Sequence, residues 1–464
     1  MSEVATKEAI ETTNPATGKS LKHYEYMSPK KVDEAVSKCH EAFKTWRKTS
    51  LEDRAEVIKA IGEQLTNARE ELAQLMTDEM GKTLEQSRQE VDLCAAICQY
   101  TAEVGPTELK TEEREMINGN RGRVSYAPIG VVYGIQPWNY PGYQVVRYSI
   151  ASMMAGNGVL LKHGSNVTGS GLMLERIYQK ADIPDGLFKT LVINHDQSDE
   201  LIKNSLVRAV TFTGGPEVGR HIGQIASGEL KKAVLELGSN DAYMVFEDAD
   251  IDEAVAACVK GRIYNNGETC IAAKRFIATE KVYDEFREKF VKAMSEVTMG
   301  DPNDETTELG PLAREDLRDD LHEQVAKSVE QGARIACGGE IPNRDGYYYP
   351  ATVLENVHPG QPAYDDELFG PVASLIKAKD NKDAMRIAND SRYGLGGGIF
   401  SKGEDAAIEM AEKHFDTGMV FINTFGIADP AMPFGGVKNS GYGREHGGFG
   451  LKEFVNIKSV MIKQ

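Results

Sequence analysis

The alternation of short apolar runs with helical segments, from about residue 129 onward, constrains the fold most strongly. A first series of runs is bounded by glycine and proline and reads "GVVYGIQP", "NGVLLKHG", "FKTLVINH" and "RAVTFTGG". A second series reads "AYMVFED", "KRFIATE", "ASLIKAKD", "GGIFSKG" and "GMVFINTFG". Short apolar runs of this kind are typical of buried parallel strands, and the segments between them suit crossover helices. We therefore predict βαβ units and two α/β domains.

The regions on either side have a different pattern. Residues 30–105 repeat apolar positions at helical spacing and follow Ser28 and Pro29, which suit the start of a helix. The C-terminal stretch "LKEFVNIKSVMIKQ" alternates between apolar and polar residues and predicts a strand. Because no second run follows it to form a hairpin, we expect this strand to pair with a partner subunit or with an earlier strand.

Composition argues against several classes of partner and places the chain in a reducing compartment. The 464 residues carry 53 basic and 71 acidic side chains, and a net charge of −18 disfavours nucleic acid and anionic membrane surfaces. No apolar stretch approaches the ~18 residues of a membrane helix, and the N-terminus lacks a signal-peptide core. Six cysteines are too few for a disulfide scaffold. We therefore expect a cytoplasmic protein.

Metal-binding patterns are weak in this sequence. Cys94 and Cys98 lie four residues apart in a helical pattern, where core packing is the favoured interpretation. None of the nine histidines forms an H-x-x-x-H pair. We therefore predict no catalytic metal.

Two segments carry possible cofactor contacts. In "TFTGGPEVG" a strand leads into a turn with Gly214, Gly215 and Gly219 and then into a helix. A glycine turn at a helix N-terminus can receive a phosphate, although a tight turn without any ligand fits equally well. In "VLLKHGSN", Lys162 and Ser165 follow a predicted strand at the sheet edge where α/β proteins bind ligands. A solvated lysine is the alternative at that position.

Three residues suggest covalent catalysis on a carbonyl. Cys270 lies in the polar stretch "NNGETC", where a thiol can be reached by substrate, although an inert loop cysteine remains an alternative. Glu236 ends the apolar run "AVLE", and burial there would raise its pKa toward that of a general base, unless it forms a structural ion pair. Asn139 in "QPWNYP" could donate to an oxyanion or only hold a turn.

Taken together and in order, these segments resemble one family along nearly the whole chain, the NAD(P)-dependent aldehyde dehydrogenases. Within that family the sequence is most similar to the shorter bacterial succinate-semialdehyde dehydrogenases. The matching stretches are "QPWNYP", "LLKHGSN", "TFTGGPEVG", "LELGSND", "NNGETC", "DELFGPV" and "PFGGVKNSGYGREHGGFG".

The resemblance implies a role for each of the three candidate residues. Cys270 would attack the aldehyde carbon, and the Asn139 side chain with the Cys270 backbone N–H would hold the oxyanion. Hydride transfer to the nicotinamide would leave a thioester, and Glu236 would activate the water that releases the acid. The chain departs from the family at Ser239, where the general-base motif usually has a second glycine.

The same resemblance implies the cofactor contacts. Lys162 would meet the adenosine ribose or its phosphate, and Trp138 would lie in the cofactor cleft. Glu367 would hold the nicotinamide ribose, and Phe369 would pack near the nicotinamide ring. The glycine turn would face the pyrophosphate, where the family often has serine at the position of Gly215.

Cofactor choice is expected to depend on Ser165. NAD-preferring members of the family have glutamate at this position, and a carboxylate there repels a 2′-phosphate. Serine next to Lys162 removes that repulsion, so we expect NADP to be accepted and preferred over NAD.

The substrate contacts are less uniform. Arg147 matches an arginine that faces the substrate carboxylate in succinate-semialdehyde dehydrogenases, and an arginine paired with a protein carboxylate is the alternative. Tyr264 stands where some relatives have a second arginine. Ile427 and Ala428 stand where relatives commonly place a carboxylate-binding serine. We predict oxidation of succinate semialdehyde to succinate, with another polar aldehyde, hydroxy- or sugar-derived, as the alternative substrate.

The resemblance also implies an aldehyde dehydrogenase fold. Residues 1–115 and 129–235 would form a Rossmann-like NAD(P)-binding domain, and 236–425 an α/β catalytic domain. Residues 116–128 and 426–464 would form a small β element that pairs across subunits in a homodimer or homotetramer. A non-catalytic binding protein on the same scaffold and a CoA-acylating dehydrogenase are the competing functional classes.

Overall fold

The computed structural model describes residues 9–463. The predicted helical region is confirmed and consists of Pro29–Trp46, Leu51–Asn67, Arg69–Met80 and Leu84–Glu108. Ser28 accepts a hydrogen bond from the Lys31 N–H at the start of the first helix, and Pro29 occupies its first turn. A β-hairpin of Ala9–Asn14 and Lys19–Glu25 precedes these helices. The sequence analysis did not predict this hairpin, because exposed polar residues dominate its second strand.

The first series of predicted strands forms one sheet. Within residues 9–463 it has six strands in the order Gly441–Tyr442, Lys232–Glu236, Val207–Thr213, Val131–Gln136, Gly158–His163 and Phe188–Thr190. All neighbours are parallel except Gly441–Tyr442, which runs antiparallel to Lys232–Glu236. Adjacent residues such as Val132 and Tyr133 enter separate apolar clusters, because successive side chains point to opposite faces of a sheet.

The second series forms a larger sheet. Its seven strands within the described residues follow the order Arg334–Cys337, Thr352–Glu355, Val372–Ala378, Arg275–Thr279, Ala242–Val245, Gly397–Phe400 and Phe421–Ile422. Only the first pair is antiparallel. Both faces of the sheet are covered by apolar clusters, as expected for parallel strands. The first two strands were not predicted.

A third sheet contains the C-terminal strand. Val455–Ile462 pairs antiparallel with Arg121–Pro128 over its full length, and Arg121–Pro128 also pairs with Glu112–Glu115. The strand therefore returns to an earlier part of its own chain, one of the two alternatives that the sequence left open. Residues 112–115, which the predicted division assigned to the NAD(P)-binding domain, belong to this sheet.

The segment 426–454 reaches both large sheets. Gly441–Tyr442 extends the six-stranded sheet, while Val437–Lys438 pairs with Tyr393–Gly394 beside the seven-stranded sheet. Of the predicted element 426–464, only Val455–Ile462 lies in the small sheet. The intervening residues 426–454 instead contribute the short strands Val437–Lys438 and Gly441–Tyr442.

The remaining helices connect and cover the strands. They are Tyr143–Met154, Thr168–Gln179, His195–Lys203, Pro216–Gly228, Ile251–Ile263, Glu280–Ser295, Glu315–Glu330, Pro362–Asp365, Asn381–Asn389, Glu404–His414 and Phe449–Glu453, with 3-10 turns at Ser165–Val167 and Tyr264–Gly267. None of the described helices combines the length and apolar character that a bilayer crossing requires.

Candidate active site

The loop that carries Cys270 is held in an unusual backbone conformation. Asn265 and Asn266 adopt left-handed φ angles of 55° and 57°, a region that asparagine tolerates better than most residues. The Asn266 side chain donates to the carbonyl of Pro311 at 2.8 Å and accepts from the Gly310 N–H at 2.8 Å. The Asn265 amide donates to the carbonyl of Asn139 at 3.0 Å. These bonds fix the turn that precedes the cysteine.

Cys270 lies where two cavities meet. A wide cleft of about 260 Å³ is lined by Pro137, Trp138, Asn139, Gln144, Thr213, Gly214, Gly215, Leu237, Gly238, Cys270, Leu317, Glu367 and Phe369. A narrow cavity is lined by Gln89, Glu90, Leu93, Tyr140, Tyr143, Gln144, Tyr264, Thr269, Cys270, Ile271, Ile427, Ala428 and Phe434. The thiol can therefore meet a molecule in either space.

The wide cleft brings together most of the predicted cofactor residues. The rings of Trp138 and Phe369 meet edge to face with centroids 5.8 Å apart. Gly215 precedes the helix Pro216–Gly228 and gives it no side-chain cap, and a Cβ on Gly215 would meet nothing within 4 Å. The helix N-terminus therefore faces open space with unsatisfied N–H groups.

The other two glycines of the turn serve packing. A Cβ on Gly214 would lie 2.6 Å from the Phe212 ring, and a Cβ on Gly219 would collide with the Leu237 side chain. Gly219 therefore permits the close approach of its helix to the strand end, and it does not line the wide cleft.

Lys162 and Ser165 lie three residues apart in the chain and outside the lining of the wide cleft. Lys162 is the penultimate residue of the strand Gly158–His163, and burial alone lowers the pKa of its ammonium. Ser165 is exposed and begins the 3-10 turn Ser165–Val167. No neighbouring carboxylate among the described residues compensates the burial of this ammonium, so it is suited to bind an anionic ligand.

Asn139 is held directly against the cysteine loop. Its side-chain nitrogen donates to the backbone carbonyl of Glu268 at 3.0 Å, and its side-chain oxygen has no hydrogen-bond partner within residues 9–463. The neighbouring Tyr140 hydroxyl lies 2.9 Å from the Thr269 hydroxyl. The second amide hydrogen of Asn139 remains available to an oxygen in the cleft.

Glu236 is withdrawn from both cavities. It ends the strand Lys232–Glu236, its residue is 2% exposed, and neither carboxylate oxygen has a hydrogen-bond partner in the described chain. Burial raises the pKa of this carboxyl well above its usual value, and the nearby Glu445 carboxylate raises it further, while Arg147 opposes the shift. A buried carboxyl of this kind can accept a proton near neutrality.

Arg147 lies in a buried ion pair outside the lining of both cavities. The guanidinium forms a buried ion pair with Glu445, lies 3.1 Å from the Thr213 hydroxyl, and stacks 4.7 Å from the centre of the Phe434 ring. Arg147 lines neither cavity. This geometry is that of an arginine paired with a protein carboxylate, the alternative that the sequence left open, and a role of Arg147 toward the substrate carboxylate stays a prediction.

The narrow cavity contains the other two predicted substrate residues, Tyr264 and Ala428. The Tyr264 hydroxyl donates to the side-chain oxygen of Gln89 at 3.3 Å. No lysine or arginine is among the described lining residues of this cavity. Its polar groups are tyrosine and threonine hydroxyls, glutamine amides and the carboxylate of Glu90.

A second buried ion pair lies behind the narrow cavity and was missed by the sequence analysis. Lys82 and Glu90 are in contact, and the Lys82 ammonium lies 4.2 Å from the centre of the Tyr140 ring. Glu90 also accepts the N–H groups of Gly142 and Tyr143 at 2.7 and 2.9 Å, at the start of the helix Tyr143–Met154. The pair therefore supports the turn that carries Asn139. A lysine and a glutamate eight residues apart give no signal of this role.

Charged neighbours shift the pKa of the Cys270 thiol in opposite directions. Burial of the thiol raises its pKa to about 12. Arg147 and Lys274 lower the pKa, and the carboxylates of Glu367 and Glu236 raise it. Burial also raises the pKa of Glu367. The two cations therefore favour the thiolate that a nucleophile requires.

Comparison with known proteins identifies the class. The aldehyde dehydrogenase family profile matches residues 2–460, so the chain belongs to the aldehyde dehydrogenase family. The chain is 44% identical over 447 residues to succinate semialdehyde dehydrogenase [NAD(P)+] of Escherichia coli K12, covering 96% of each chain. It is 41% identical over 460 residues to succinate-semialdehyde dehydrogenase [NADP(+)] of Mycobacterium leprae, covering 98% of this chain and 100% of the relative.

The fold comparison agrees. The structure of succinic semialdehyde dehydrogenase from Streptococcus pyogenes in complex with NADP+ matches with a TM-score of 0.96 and 34% identity, covering 98% of this chain and 100% of that one. The predicted aldehyde dehydrogenase fold is therefore confirmed.

Proposed function

We propose that this protein oxidises succinate semialdehyde to succinate with NADP as the preferred cofactor and NAD as an alternative. The observation that carries the proposal is the position of Cys270, which lines both the wide cleft and the narrow cavity. A nucleophile at this junction can hold an aldehyde carbon beside a cofactor. The similarity to relatives named as succinate-semialdehyde dehydrogenases supports the choice of substrate.

The residues of the wide cleft fit a nicotinamide dinucleotide. The uncapped helix N-terminus at Gly215 suits a pyrophosphate, because its N–H groups and helix dipole favour an anion. Glu367 would accept hydrogen bonds from the nicotinamide ribose, and Phe369 and Trp138 would pack near the ring system. Lys162 would hold the adenosine ribose or its 2′-phosphate. When bound, the cofactor supplies the acceptor for the hydrogen that leaves the aldehyde.

The chain's own residues perform the remaining chemistry. Cys270 attacks the carbonyl carbon as a thiolate, and the free N–H of the Asn139 amide stabilises the oxygen as it gains charge. After oxidation the acyl group is held as a thioester on the same sulfur. Glu236 accepts a proton from the water that attacks this thioester, and the Cys270 thiolate leaves.

The cofactor preference follows from charge. Ser165 is exposed next to Lys162, so a 2′-phosphate at this edge of the sheet would meet an ammonium and no carboxylate from this position. The relative from M. leprae is named for NADP(+) and the relative from E. coli for NAD(P)+, which supports the use of NADP.

A neutral polar aldehyde, hydroxy- or sugar-derived, is the second candidate substrate. The observation that favours it is the narrow cavity, whose described lining contains no arginine or lysine to pair with a substrate carboxylate. Hydroxyl groups and amides such as those of Tyr264 and Gln89 can bind a hydroxyl, an amide or a carboxylate. Retention of the buried Glu236 favours hydrolysis over transfer to CoA.

Assembly through the small sheet is part of the proposal. Val455–Ile462 pairs with Arg121–Pro128 on one side, and its other edge can pair with a second subunit. Ile457, Val460 and Met461 of this strand are exposed by 60%, 41% and 71%, which is costly unless a partner covers them. We propose a homodimer or a dimer of dimers, located in the cytoplasm.

A substrate screen with both cofactors tests the function. Reduction of NAD and NADP is followed with succinate semialdehyde, its neutral amide 4-oxobutanamide, a hydroxy-aldehyde and butanal, with and without CoA. We expect the highest kcat/KM with succinate semialdehyde and NADP, without any requirement for CoA. A higher value for 4-oxobutanamide selects the second candidate. Lack of turnover with every aldehyde contradicts an oxidative function.

A further inference from the structure

A buried lysine lies between the nucleophile and the predicted ribose-binding carboxylate. Lys274 precedes the strand Arg275–Thr279 and is 2% exposed. Its ammonium lies 2.6 Å from the backbone oxygen of Cys270 and 3.2 Å from that of Thr269. Burial of an ammonium is costly unless hydrogen bonds and an opposite charge compensate it, so these contacts restrict where the cysteine loop can lie.

The opposite side of the same ammonium contacts two further groups. It lies 3.3 Å from a carboxylate oxygen of Glu367 and 3.0 Å from the hydroxyl of Ser239. The Ser239 hydroxyl in turn donates to the Cys270 backbone oxygen. A Cβ on Gly238 would lie 2.6 Å from Glu367, so the glycine allows the carboxylate to approach this closely. Cys270, Glu367 and Ser239 therefore meet at a single cation.

We propose that Lys274 is a positioning residue that links the Glu367 carboxylate to the backbone of the Cys270 nucleophile, with Ser239 as the second donor to the Cys270 carbonyl. The proposal rests on the function above only in assigning Glu367 to the nicotinamide ribose. Ser239, which departs from the glycine usual in the family, accepts from Lys274 and donates to the Cys270 carbonyl, so it closes the network on the cysteine loop.

The position of Lys274 between Glu367 and the Cys270 backbone has an electrostatic consequence. The charged groups that act on the thiol are Arg147 and Lys274, which favour the thiolate, and Glu367 and Glu236, which oppose it. A ribose that donates hydrogen bonds to Glu367 disperses the negative charge that Lys274 helps to balance, together with the Ser239 N–H and Arg262. More of the Lys274 charge then acts on the sulfur, so cofactor binding and thiol ionisation are coupled, and this coupling is reciprocal.

Alkylation of the thiol measures the link without turnover. The rate of reaction with iodoacetamide is measured against pH for the apoenzyme and with saturating NADP, in a Cys337→Ser background. This background is chosen because Cys337 is the other cysteine that is not fully buried. The midpoint of the rise in alkylation rate with pH reports the ionisation of the thiol. In the Lys274→Met variant we expect this midpoint to rise by about one pH unit, because a cation beside the thiol is lost. We also expect the difference between apoenzyme and NADP-bound midpoints to disappear.

Two variants separate charge from geometry. Lys274→Arg keeps the charge, so the apoenzyme midpoint should stay close to that of the parent while the NADP dissociation constant rises, because a guanidinium cannot reproduce the contacts of an ammonium. Ser239→Ala removes the neutral hydroxyl that donates to the Cys270 carbonyl. It should lower kcat severalfold and leave the midpoint of the alkylation profile unchanged. The dissociation constant is read from energy transfer between Trp138 and NADPH, and the melting temperature reports on folding.

The outcomes distinguish this proposal from the proposed function. A folded Lys274→Met variant with the parental midpoints and NADP affinity overturns the link. If the Lys274→Met variant does not fold, the other two variants provide the test. The link is overturned if Lys274→Arg binds NADP with the parental affinity and Ser239→Ala has the parental kcat. A midpoint that depends on Lys274, in a protein that oxidises none of the aldehydes tested, supports the link and rejects the function.

Discussion

Arg147 and Glu445 form a buried ion pair beside the carboxyl of Glu236, although the three residues come from distant parts of the sequence. The pair places one positive and one negative charge next to a carboxyl that has no hydrogen-bond partner of its own in the described chain. The protonation of Glu236 therefore depends on both members, so the pair would control the pH range of the proposed general base.

Glu445→Gln should extend activity to lower pH. Burial and the Glu445 carboxylate raise the pKa of Glu236, and Arg147 lowers it. A base with a raised pKa loses activity as the pH falls through that pKa. Removing the Glu445 charge and leaving Arg147 unneutralised both lower the pKa of Glu236, so the acid limb of the kcat profile should move to lower pH. The shift is checked by measuring the pH dependence of thioester hydrolysis, with an ester substrate that acylates Cys270. An acid limb that moves to higher pH contradicts the arrangement.

Arg147→Met should affect stability more than substrate selection. Loss of one partner of a buried pair leaves Glu445 uncompensated and costs about 3–5 kcal/mol of unfolding free energy. Because Arg147 lines neither cavity, the ratio of kcat/KM for succinate semialdehyde to that for 4-oxobutanamide should change less than about threefold, that is, by less than 1 kcal/mol.

Arg147→Lys is the matched variant, since it keeps a cation opposite Glu445 and should restore part of the lost stability. Urea unfolding and steady-state kinetics give the two quantities. A large and selective loss of activity with the carboxylated substrate would support the role of Arg147 as a carboxylate anchor.

Asn139→Ala should reduce kcat with little effect on KM. One amide hydrogen of Asn139 is used by the Glu268 carbonyl and the other is free for the oxyanion, and loss of an oxyanion donor typically costs about 10²–10³ in rate. Asn139→Asp keeps the shape but has no donor, so it should be at least as slow. The rate of Cys270 alkylation serves as the control, because it should stay near the parental value if the loop has not moved. A kcat within threefold of the parent in both variants would remove Asn139 from the mechanism.

Ser165→Glu should shift preference from NADP to NAD. A carboxylate at this exposed position, three residues after Lys162, would repel a 2′-phosphate by about 1–4 kcal/mol, so kcat/KM with NADP should fall by at least about fivefold. The value with NAD should be maintained or increased, because the carboxylate accepts ribose hydroxyls. Ser227→Glu introduces the same charge near the far end of the helix Pro216–Gly228 and should leave the ratio unchanged. Equal losses with both cofactors would show that Ser165 does not discriminate between them.

The sequence predicted the local elements well where a periodic apolar pattern determined them. The strands Val131–Gln136 and Val207–Thr213 lie within the runs from which they were predicted, because buried parallel strands require continuous apolar residues. The hairpin Ala9–Glu25 was missed because its second strand is almost entirely exposed and polar. The strand Arg334–Cys337 was missed because half of its residues are exposed, and the strand Thr352–Glu355 was missed because it contains only two apolar residues, Val353 and Leu354.

The candidate site was predictable in its chemistry and less so in its supporting contacts. The positions of Cys270 and Asn139 at the cleft agree with what their motifs suggested. The partner of Arg147 could not be predicted, because the sequence gives no indication that Glu445, almost three hundred residues away, lies beside it. Lys274 gave no signal either, since a lysine at the start of a strand is ordinarily solvated.

The path of residues 426–454 across both large sheets has a consequence for biosynthesis. Ribosomes make a chain from its N-terminus, so Cys270 and Glu236 emerge long before Glu445 and the strand Gly441–Tyr442. Until this late segment docks, Arg147 lacks its partner and the edge of the Lys232–Glu236 strand is uncovered. The surroundings of Glu236 and Arg147 are therefore completed only after residues 441–445 have been made.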